Sequence, residues 1–324
     1  MATTGDGDSF RLKVAKCFDG FPYVRDLRRE IAKGGLFPAG HHHSPVPDHQ
    51  AIERLTAERC GDAGDDLEDI DLNVSVQLEM LERWVPYYRA LRLPAKQRPD
   101  YRYWFEQDAF SYADGIFLHC LLRDLRPRRV IEIGAGFSSA LMLDTAERAL
   151  DRAPDFTFID PVPDRLLSLL RPGDLASVRI VDRPVQELPP TEFRRLGEGD
   201  LLFVDSSHVI KFGNDLHALF SRVLPALPEG CVVCFHDIFY PFEYPASWLR
   251  QGRYWNEAYL LRAFLSGNRH WEILLFGDYL TGAHKRFFDV AMPMCLLNTG
   301  GSLYLRKRRQ PAGDPATARP SAVR

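Results

Sequence analysis

Short apolar runs alternate with helical segments from residue 110 to residue 305, and this alternation limits the fold more than any other feature of the chain. The runs are rich in Val, Ile, Leu and Phe, which is typical of strands buried on both faces of a parallel sheet. Strands joined through helices need crossover connections, so the pattern predicts a doubly wound, mostly parallel α/β sheet. We interpret the following runs as its strands: Val130–Ile133, Phe156–Ile159, Val178–Val181, Leu201–Val204, Cys231–Phe235, Trp271–Phe276 and Ser302–Leu305. The last two runs have no long helical pattern between them, so we expect them to form an antiparallel hairpin at one edge.

The sequence on either side of this region has a different character. Residues 1–10 are small and polar, and residues 306–324 are rich in Pro, Ala and Arg, so both ends are predicted to be disordered. Residues 11–109 contain short apolar stretches broken by Gly and Pro, and one helical period from Leu72 to Val85. We interpret 11–109 as an irregular helical extension on the substrate side of a domain at 110–305.

The composition excludes several classes of function. A formal net charge of -3 removes the basic field that a nucleic-acid-binding protein uses to hold phosphates. No apolar run approaches the roughly 18 residues of a membrane span, and the first residues lack the apolar core of a signal peptide. We therefore expect a cytoplasmic protein that acts on a small molecule, without a membrane or nucleic-acid partner. The sequence carries no signal for its oligomeric state.

The cysteines indicate buried structural thiols. The chain has 6 of them, scattered, and the one tight pair is Cys231 and Cys234. Residues three apart on a strand point to opposite faces, so these two are badly placed to share a metal ion.

The strongest local motif is the run from Glu132 through Gly134 and Gly136 to Ser138. A strand passes into two glycines and then into a helix that Ser138 or Ser139 opens. Glycine allows a sharp turn and a close approach by a ligand, and the start of a helix offers free N–H groups. Asp160 ends the next strand, where a carboxylate can hold both hydroxyls of a ribose. The pattern predicts a nucleotide-type cofactor at this loop.

This motif resembles the first motif of class I S-adenosylmethionine-dependent methyltransferases, and Asp160 falls at their ribose-binding acid. The resemblance covers about residues 110 to 305 and implies a seven-stranded sheet with a reversed last hairpin. It also implies the residues that bind the cofactor: Glu132, Gly134, Gly136, Ser138 and Asp160, with Tyr112 near the methionine end and Gln186 near the adenine.

Two acid and imidazole clusters follow neighbouring strands. Asp205 and His208 come after the fourth strand, and His236 and Asp237 come after the fifth. In an open parallel sheet, ligands bind beyond the carboxyl ends of the strands. We therefore expect both clusters to converge on one crevice, where acceptor chemistry takes place.

These clusters resemble the metal-assisted sugar O-methyltransferases of macrolide and aminocoumarin antibiotic synthesis, which bind Mg²⁺ through an acid after strand four and a carboxylate pair after strand five. Asp205 and Asp237 match that pattern, and His236 replaces a carboxylate. Imidazole favours Mn or Fe over Mg. The resemblance implies a divalent metal (Mg, Mn or Fe) held by Asp205, Asp237 and His236. His208 is left with two open roles, general base or further ligand, and Asp205, His208 and His236 are the predicted catalytic residues.

The chain is also similar to a bacterial group of mostly uncharacterised members. That group has a Gly-His-aromatic-aromatic-Ser-Pro-Ile-Pro segment, which corresponds here to Gly40–Pro47 and makes His41 a candidate substrate contact. Two aromatic runs, Ile238–Trp248 and Arg253–Tyr259, with Glu243, Asn256 and Glu257 nearby, suit a wall against a hydroxylated acceptor.

These features together predict an S-adenosylmethionine-dependent O-methyltransferase that acts on a small hydroxylated molecule or a sugar. Two other interpretations stay open. Two His and two Asp can form the 2-His-1-carboxylate site of a metal-dependent oxygenase or hydrolase. A non-catalytic protein that only binds the cofactor is the second alternative.

Overall fold

The computed structural model describes residues 37–59 and 67–309, so the predicted disordered segment 1–10 and the tail from residue 310 onward lie outside the described residues. The described chain divides into two compact units. The smaller holds 37–59 and 246–254, and the larger holds 67–245 and 255–309.

The strands and the helix predicted from Leu72 to Val85 lie close to their predicted positions. The helices are α1 (His49–Arg59), α2 (Val74–Arg89), α3 (Tyr112–Leu125), α4 (Phe137–Ala149), α5 (Asp164–Leu169), α6 (Asp215–Ala218), α7 (Leu224–Ala226), α8 (Ala246–Arg250), α9 (Glu257–Leu265), α10 (Gly277–Ala283) and α11 (Lys285–Ala291). The strands are β1 (Arg129–Ile133), β2 (Asp155–Ile159), β3 (Val178–Val181), β4 (Leu201–Val204), β5 (Val232–Phe235), β6 (Trp271–Phe276) and β7 (Leu303–Lys307). A π-helical turn, Leu219–Val223, joins α6 to α7, and short 3-10 helices span Asp174–Ala176, Val185–Glu187, Phe193–Arg195 and Pro293–Leu296.

The larger unit is a doubly wound α/β fold around one 7-stranded sheet with the strand order β3-β2-β1-β4-β5-β7-β6. Strands β1 to β5 pair in parallel, and only β7 runs antiparallel to both of its neighbours. The order reverses between β1 and β4, so their carboxyl ends flank the crevice in which open sheets of this type bind ligands.

The last two strands form the expected antiparallel pair at one edge of the sheet. Between β6 and β7 the chain forms the two short helices α10 and α11. Both helices are only 7 residues long, too short to produce a clear helical period in the sequence. β7 also extends to Lys307, so the predicted tail does not begin at residue 306.

The structure groups the N-terminal extension differently from the predicted range 11–109. Helix α2 belongs to the larger unit because its buried side chains Met80, Leu81 and Trp84 join the core formed by α3 and the sheet. In the same segment, the buried guanidinium of Arg102 pairs with the carboxylates of Asp144 and Asp174 at 2.8 and 2.6 Å. The segment 67–109 is therefore part of the domain that carries the sheet.

The smaller unit consists of a loop and the helices α1 and α8. Arg250 on α8 makes two hydrogen bonds, of 2.8 and 3.0 Å, to the carboxylate of Glu53 on α1. In the loop, the ring of His41 stacks on Phe37 with 4.4 Å between centroids. A substrate contact by His41 stays a prediction.

The pair Cys231 and Cys234 is buried, as predicted, and both thiols are free. Cys234 lies within β5, and Cys231 immediately precedes it. Within 37–59 and 67–309, no helix is long and apolar enough to cross a membrane.

Candidate active site

Most of the predicted site residues lie at the carboxyl ends of β1, β2, β4 and β5. The glycine loop follows β1, and Asp160 follows β2. Asp205 follows β4, and Asp237 lies two residues beyond the end of β5. The fold thus brings the two halves of the predicted site to one edge of the sheet.

Only glycine fits at position 134. Its φ is +81°, and a Cβ built there would stand 1.7 Å from the backbone oxygen of Asp205. Its N–H donates to the carbonyl of Ile159 at 2.9 Å, which ties the loop to the end of β2. The glycine motif therefore packs the cofactor loop directly against the start of the second cluster.

Glu132 lies beneath this loop rather than on a ligand-facing surface. Its side chain is completely buried, and its two oxygens accept the hydroxyl hydrogens of Ser138 and Ser139. Burial raises the pKa of Glu132 to about 8, although the two hydroxyls oppose the shift. Through these hydroxyls Glu132 holds the start of α4, and its predicted contact with the cofactor stays a prediction.

Asp160 holds the glycine loop from the side of β2. Its carboxylate accepts the N–H of Ala135 at 2.9 Å and the N–H of Val162 at 2.8 Å. Each oxygen keeps a lone pair for a further hydrogen bond. The predicted contact to a ribose is compatible with this arrangement.

A cavity of about 380 Å³ opens beside the glycine loop. This volume lies within the usual range for small-molecule sites. Its wall contains most of the predicted cofactor residues together with several that the sequence did not single out: Ala109, Phe110, Gly134, Ala135, Gly136, Phe137, Ser138, Asp160, Val162, Arg165, Asp205 and Ser206.

Two predicted cofactor residues lie away from this wall. Tyr112 stacks on Phe105 with 5.1 Å between centroids, and its hydroxyl lies 3.5 Å from Glu106. Gln186 lies in a 3-10 helix, where its backbone carbonyl accepts a hydrogen bond from Arg222. Cofactor contacts by Tyr112 and Gln186 stay predictions.

The second cluster forms around Asp205, His208 and Asp237. Each offers one ligand atom, and the three atoms lie within 4.8 Å of one another. The Nε2 atom of His208 is 3.3 Å from Oδ1 of Asp205 and 3.6 Å from Oδ2 of Asp237. The structure therefore places Nε2 of His208 beside both carboxylates. The sequence alone left its role open between general base and metal ligand.

His236 approaches the same two carboxylates from the buried side. Its Nδ1 atom is 3.4 Å from Oδ1 of Asp205 and 3.7 Å from Oδ2 of Asp237, yet makes no hydrogen bond within the described residues. Its Nε2 atom is 3.4 Å from Oδ2 of Asp114. Because β5 ends at Phe235, the adjacent residues His236 and Asp237 can both face the cluster.

The charges of the cluster are strongly coupled. Burial alone would lower the pKa of His208, but hydrogen bonds to Asp205 and Glu257 raise it to about 10. Burial likewise opposes a charge on His236, and the carboxylates of Asp237 and Asp205 raise its pKa well above the usual value. Burial favours the neutral form of Asp205, but the two imidazoles hold its pKa below its ordinary range. Burial raises the pKa of Asp237. Without a metal, the carboxylates therefore favour the protonated form of both imidazoles.

Two residues of the cluster have an unusual backbone conformation. The φ angle is +56° at His208 and +60° at Asp237, in the left-handed region that side chains other than glycine rarely adopt. Such strain persists where the surrounding structure overdetermines it, and it concentrates at functional sites. At His208 the constraint comes from α9, since the His208 carbonyl accepts the N–H groups of Asn256 and Glu257 at 3.1 and 3.2 Å.

The aromatic stretch after β5 contributes one ring to the cluster. Trp255 stacks on the imidazole of His208 with 4.2 Å between centroids and 28° between planes. Phe242 and Tyr244 are instead buried and pack against other rings, Phe242 on Phe276 and Tyr244 on Trp255. The sequence placed Glu257 beside the acceptor, whereas the structure pairs it with Nδ1 of His208 at 2.9 Å.

Comparison with known proteins agrees with this geometry. A family model described as a methyltransferase domain matches residues 131–238, from the glycine loop to the second cluster. An Archaeoglobus fulgidus protein described as uncharacterized is 30% identical over 176 residues, which cover 52% of this chain and 77% of the relative. At this identity and coverage the two proteins belong to one family.

Solved structures were also found with low identity. The SAH-bound methyltransferase PaMTH1 of Podospora anserina is 14% identical, with a TM-score of 0.42 over 81% of this chain and 97% of that one. The O-methyltransferase TomG of Streptomyces achromogenes, solved with SAM and involved in tomaymycin synthesis, is 19% identical, with a TM-score of 0.38 over 71% and 90%.

Proposed function

This chain belongs to the class I S-adenosylmethionine-dependent methyltransferases, and we propose that it transfers the methyl group to an oxygen of a small hydroxylated acceptor, such as a sugar. The observation that carries the proposal is the position of Asp205. It lines the cavity beside the glycine loop, and it also belongs to the cluster with His208 and Asp237. A methyl donor in the cavity and an acceptor at the cluster would therefore be neighbours.

The cavity supports the assignment of the methyl donor. Its wall includes the N-terminal residues of α4 and Asp160, whose carboxylate could accept hydrogen bonds from the ribose hydroxyls of the donor. Gly134 and Gly136 keep the backbone free of side chains on this wall. We assign the donor contacts to Gly134, Gly136, Ser138 and Asp160, with Tyr112 and Gln186 as further candidates.

The donor atoms of the cluster fit a divalent metal ion. Nε2 of His208 and the unpartnered Nδ1 of His236 both lie within 3.7 Å of oxygens of Asp205 and Asp237. Two imidazoles and two carboxylates suit Mn or Fe better than Mg. When bound, such an ion would polarise the acceptor oxygen and lower the pKa of its hydroxyl group.

The residues of the chain would orient the acceptor and neutralise its charge. Methyl transfer requires an in-line nucleophile, so positioning contributes much of the rate. The carboxylates of Asp205 and Glu257 raise the pKa of His208 and so favour its protonated form in the absence of metal, and a protonated imidazole cannot accept another proton. Of the two roles left open for His208, this charge favours that of a ligand, because a bound cation replaces the proton.

The proposal also covers the class of acceptor and the compartment in which the reaction takes place. A net charge of -3 gives no basic surface for nucleic acid, so we propose a small-molecule acceptor. Four buried free thiols, Cys120, Cys231, Cys234 and Cys295, support a reaction in the reducing cytoplasm.

The experiment is a transfer assay with methyl-labelled S-adenosylmethionine and a panel of sugars and phenols. Each acceptor is tested with Mg²⁺, Mn²⁺ or Fe²⁺ and with a chelator, and mass spectrometry locates the label. We expect O-methylated product that depends on an added metal. Label on nitrogen or carbon would refute O-methylation, and full activity in the chelator would refute the metal. Product formed without S-adenosylmethionine would indicate an oxygenase or hydrolase instead.

A further inference from the structure

Glu257 is a buried acid with one side-chain partner among the described residues. It lies at the start of α9 and is 1% exposed. Its Oε2 atom lies 2.9 Å from Nδ1 of His208, and its Oε1 atom has no hydrogen-bond partner within 37–59 and 67–309. A buried, half-satisfied carboxylate contributes little to stability compared with an apolar side chain of similar size. Its presence calls for an explanation other than packing.

The contacts of His208 leave one ring atom directed at the cluster. Trp255 covers one face of the ring, and Nδ1 is bound to Glu257. An ionised carboxylate only accepts hydrogen bonds, so it fixes the proton on Nδ1. The other nitrogen, Nε2, then faces Asp205 at 3.3 Å and Asp237 at 3.6 Å.

We infer that Glu257 is a positioning residue that orients His208 and fixes its proton on Nδ1, so that Nε2 serves as a metal ligand beside Asp205 and Asp237. A histidine that binds a metal commonly donates its other N–H to such a carboxylate, which orients the ring and makes it a better ligand. The inference rests on the proposed metal-assisted methyl transfer and names a residue that this site requires. Glu257 acts through His208 and does not touch the acceptor.

The backbone supports the same role. The N–H groups of Asn256 and Glu257 hold the His208 carbonyl, and the side chain of Asn256 accepts the N–H of Ile210 at 2.7 Å. The start of α9 thus fixes both the ring and the strained backbone of His208. One helix end, 49 residues further along the chain, sets the geometry of the loop after β4.

The test compares Glu257→Gln with a matched control, Asp215→Asn. Asp215 holds the same loop through the N–H and hydroxyl of Ser207, at 2.8 and 2.7 Å, and does not contact His208. Mn²⁺ affinity is measured from the free-ion electron spin resonance signal. We expect Glu257→Gln to bind Mn²⁺ about 10–100-fold more weakly, the range for loss of such an outer carboxylate. Asp215→Asn should stay within about threefold of wild type, since no outer-carboxylate contact is lost.

A second measurement is independent of metal. The ¹⁵N shifts of the metal-free protein at high pH report which nitrogen of the neutral His208 ring carries the proton, and a His208→Gln variant assigns the signals. We expect the Nδ1–H form in wild type and a mixture in Glu257→Gln. Unchanged shifts and unchanged Mn²⁺ affinity in a folded Glu257→Gln protein would overturn the inference. If Glu257→Gln does not fold, Glu257→Asp replaces it with the same expected directions.

The two measurements separate this inference from the proposed function. If wild type binds no Mn²⁺, the metal role of Glu257 is overturned together with that part of the proposed function. A calorimetric titration with S-adenosylmethionine then still tests the methyl-donor site. If wild type binds Mn²⁺ and Glu257→Gln does not weaken it, only the inference about Glu257 fails.

Discussion

The backbone oxygen of Asp205 occupies the space that a side chain on Gly134 would need, 1.7 Å from the position of its Cβ. Because residue 134 is glycine, the loop after β1 and the loop after β4 can lie in direct backbone contact. This contact sets the separation between the cavity and the metal-type cluster. In the proposed function, this backbone contact would set the distance between methyl donor and acceptor.

Replacing Gly134 with alanine should disrupt this contact. The methyl group meets the Asp205 carbonyl, so the loops must separate, and we expect S-adenosylmethionine to bind at least about tenfold more weakly. Gly199→Ala is the control, because its φ is +74° and nothing lies within 4 Å of the added Cβ. Gly199→Ala should lower the free energy of unfolding by about 1–2 kcal/mol and leave the affinity for S-adenosylmethionine unchanged. Calorimetric titration and urea unfolding of both variants give the comparison, and equal effects on binding would contradict it.

Asp160 and Asp237 should affect different steps. We expect Asp160→Asn to weaken S-adenosylmethionine binding about tenfold or more, because the carboxylate is lost from both the loop and the ribose position. Asp237→Asn should leave that binding within about twofold and lower kcat about a hundredfold through misplacement of the acceptor. Calorimetry and initial rates measure the two effects. A large loss of donor binding in Asp237→Asn would show that the two sites are not separate.

The buried Glu132 should make stability depend on pH. Its pKa is about 8 in the folded protein because of burial, against an ordinary value near 4.5 in the unfolded chain. The folded state then holds one more proton between these values, so the stability from this group is present below pH 4.5 and is lost as pH rises through 8. Glu132→Gln cannot titrate.

Urea unfolding of wild type and Glu132→Gln from pH 5 to pH 9 tests this expectation. The stability of the variant relative to wild type should rise by at most about 1.4 kcal/mol per pH unit up to pH 8 and then level off. A constant difference over the whole range would mean that Glu132 is ionised in the folded protein throughout.

Arg102 should matter for stability and not for the chemistry. Its guanidinium is 6% exposed and pairs with Asp144 and Asp174, which are themselves buried. Arg102→Leu leaves these carboxylates without their partner, at a cost of about 3–5 kcal/mol. Thermal unfolding should show the loss, while S-adenosylmethionine affinity below the transition should match wild type. An equally large loss of affinity would connect this network to the site.

Much of the sheet could be predicted because its strands are buried on both faces. Leu201–Val204 is apolar at every position and lies between turn-forming residues, and the structure gives the same bounds. The convergence of Asp205 and Asp237 also followed, since parallel strands bring their carboxyl ends to one edge. A buried strand can therefore be recognised from its own short stretch of sequence, without knowledge of its tertiary contacts.

The details of the site could not be predicted in the same way. The pairing of His208 with Glu257 depends on the path of two loops and on a left-handed backbone at His208, which no glycine marks in the sequence. The buried position of Glu132 was likewise hidden, because its motif shows only that a carboxylate precedes the loop. Side-chain direction at strand ends is decided by tertiary contacts.

The left-handed backbone at His208 and Asp237 has a consequence for protein engineering. Each such position costs about 1–3 kcal/mol, which Gly or Asn would largely relieve. Selection of variants for heat resistance alone would therefore favour Asp237→Gly, which removes a proposed ligand. At His208 an exchange to Gly or Asn would leave the buried carboxylate of Glu257 without its partner, so the loss of this pair opposes the relief of strain. Heat selection would therefore remove the proposed ligand at position 237 first unless catalytic turnover were selected at the same time.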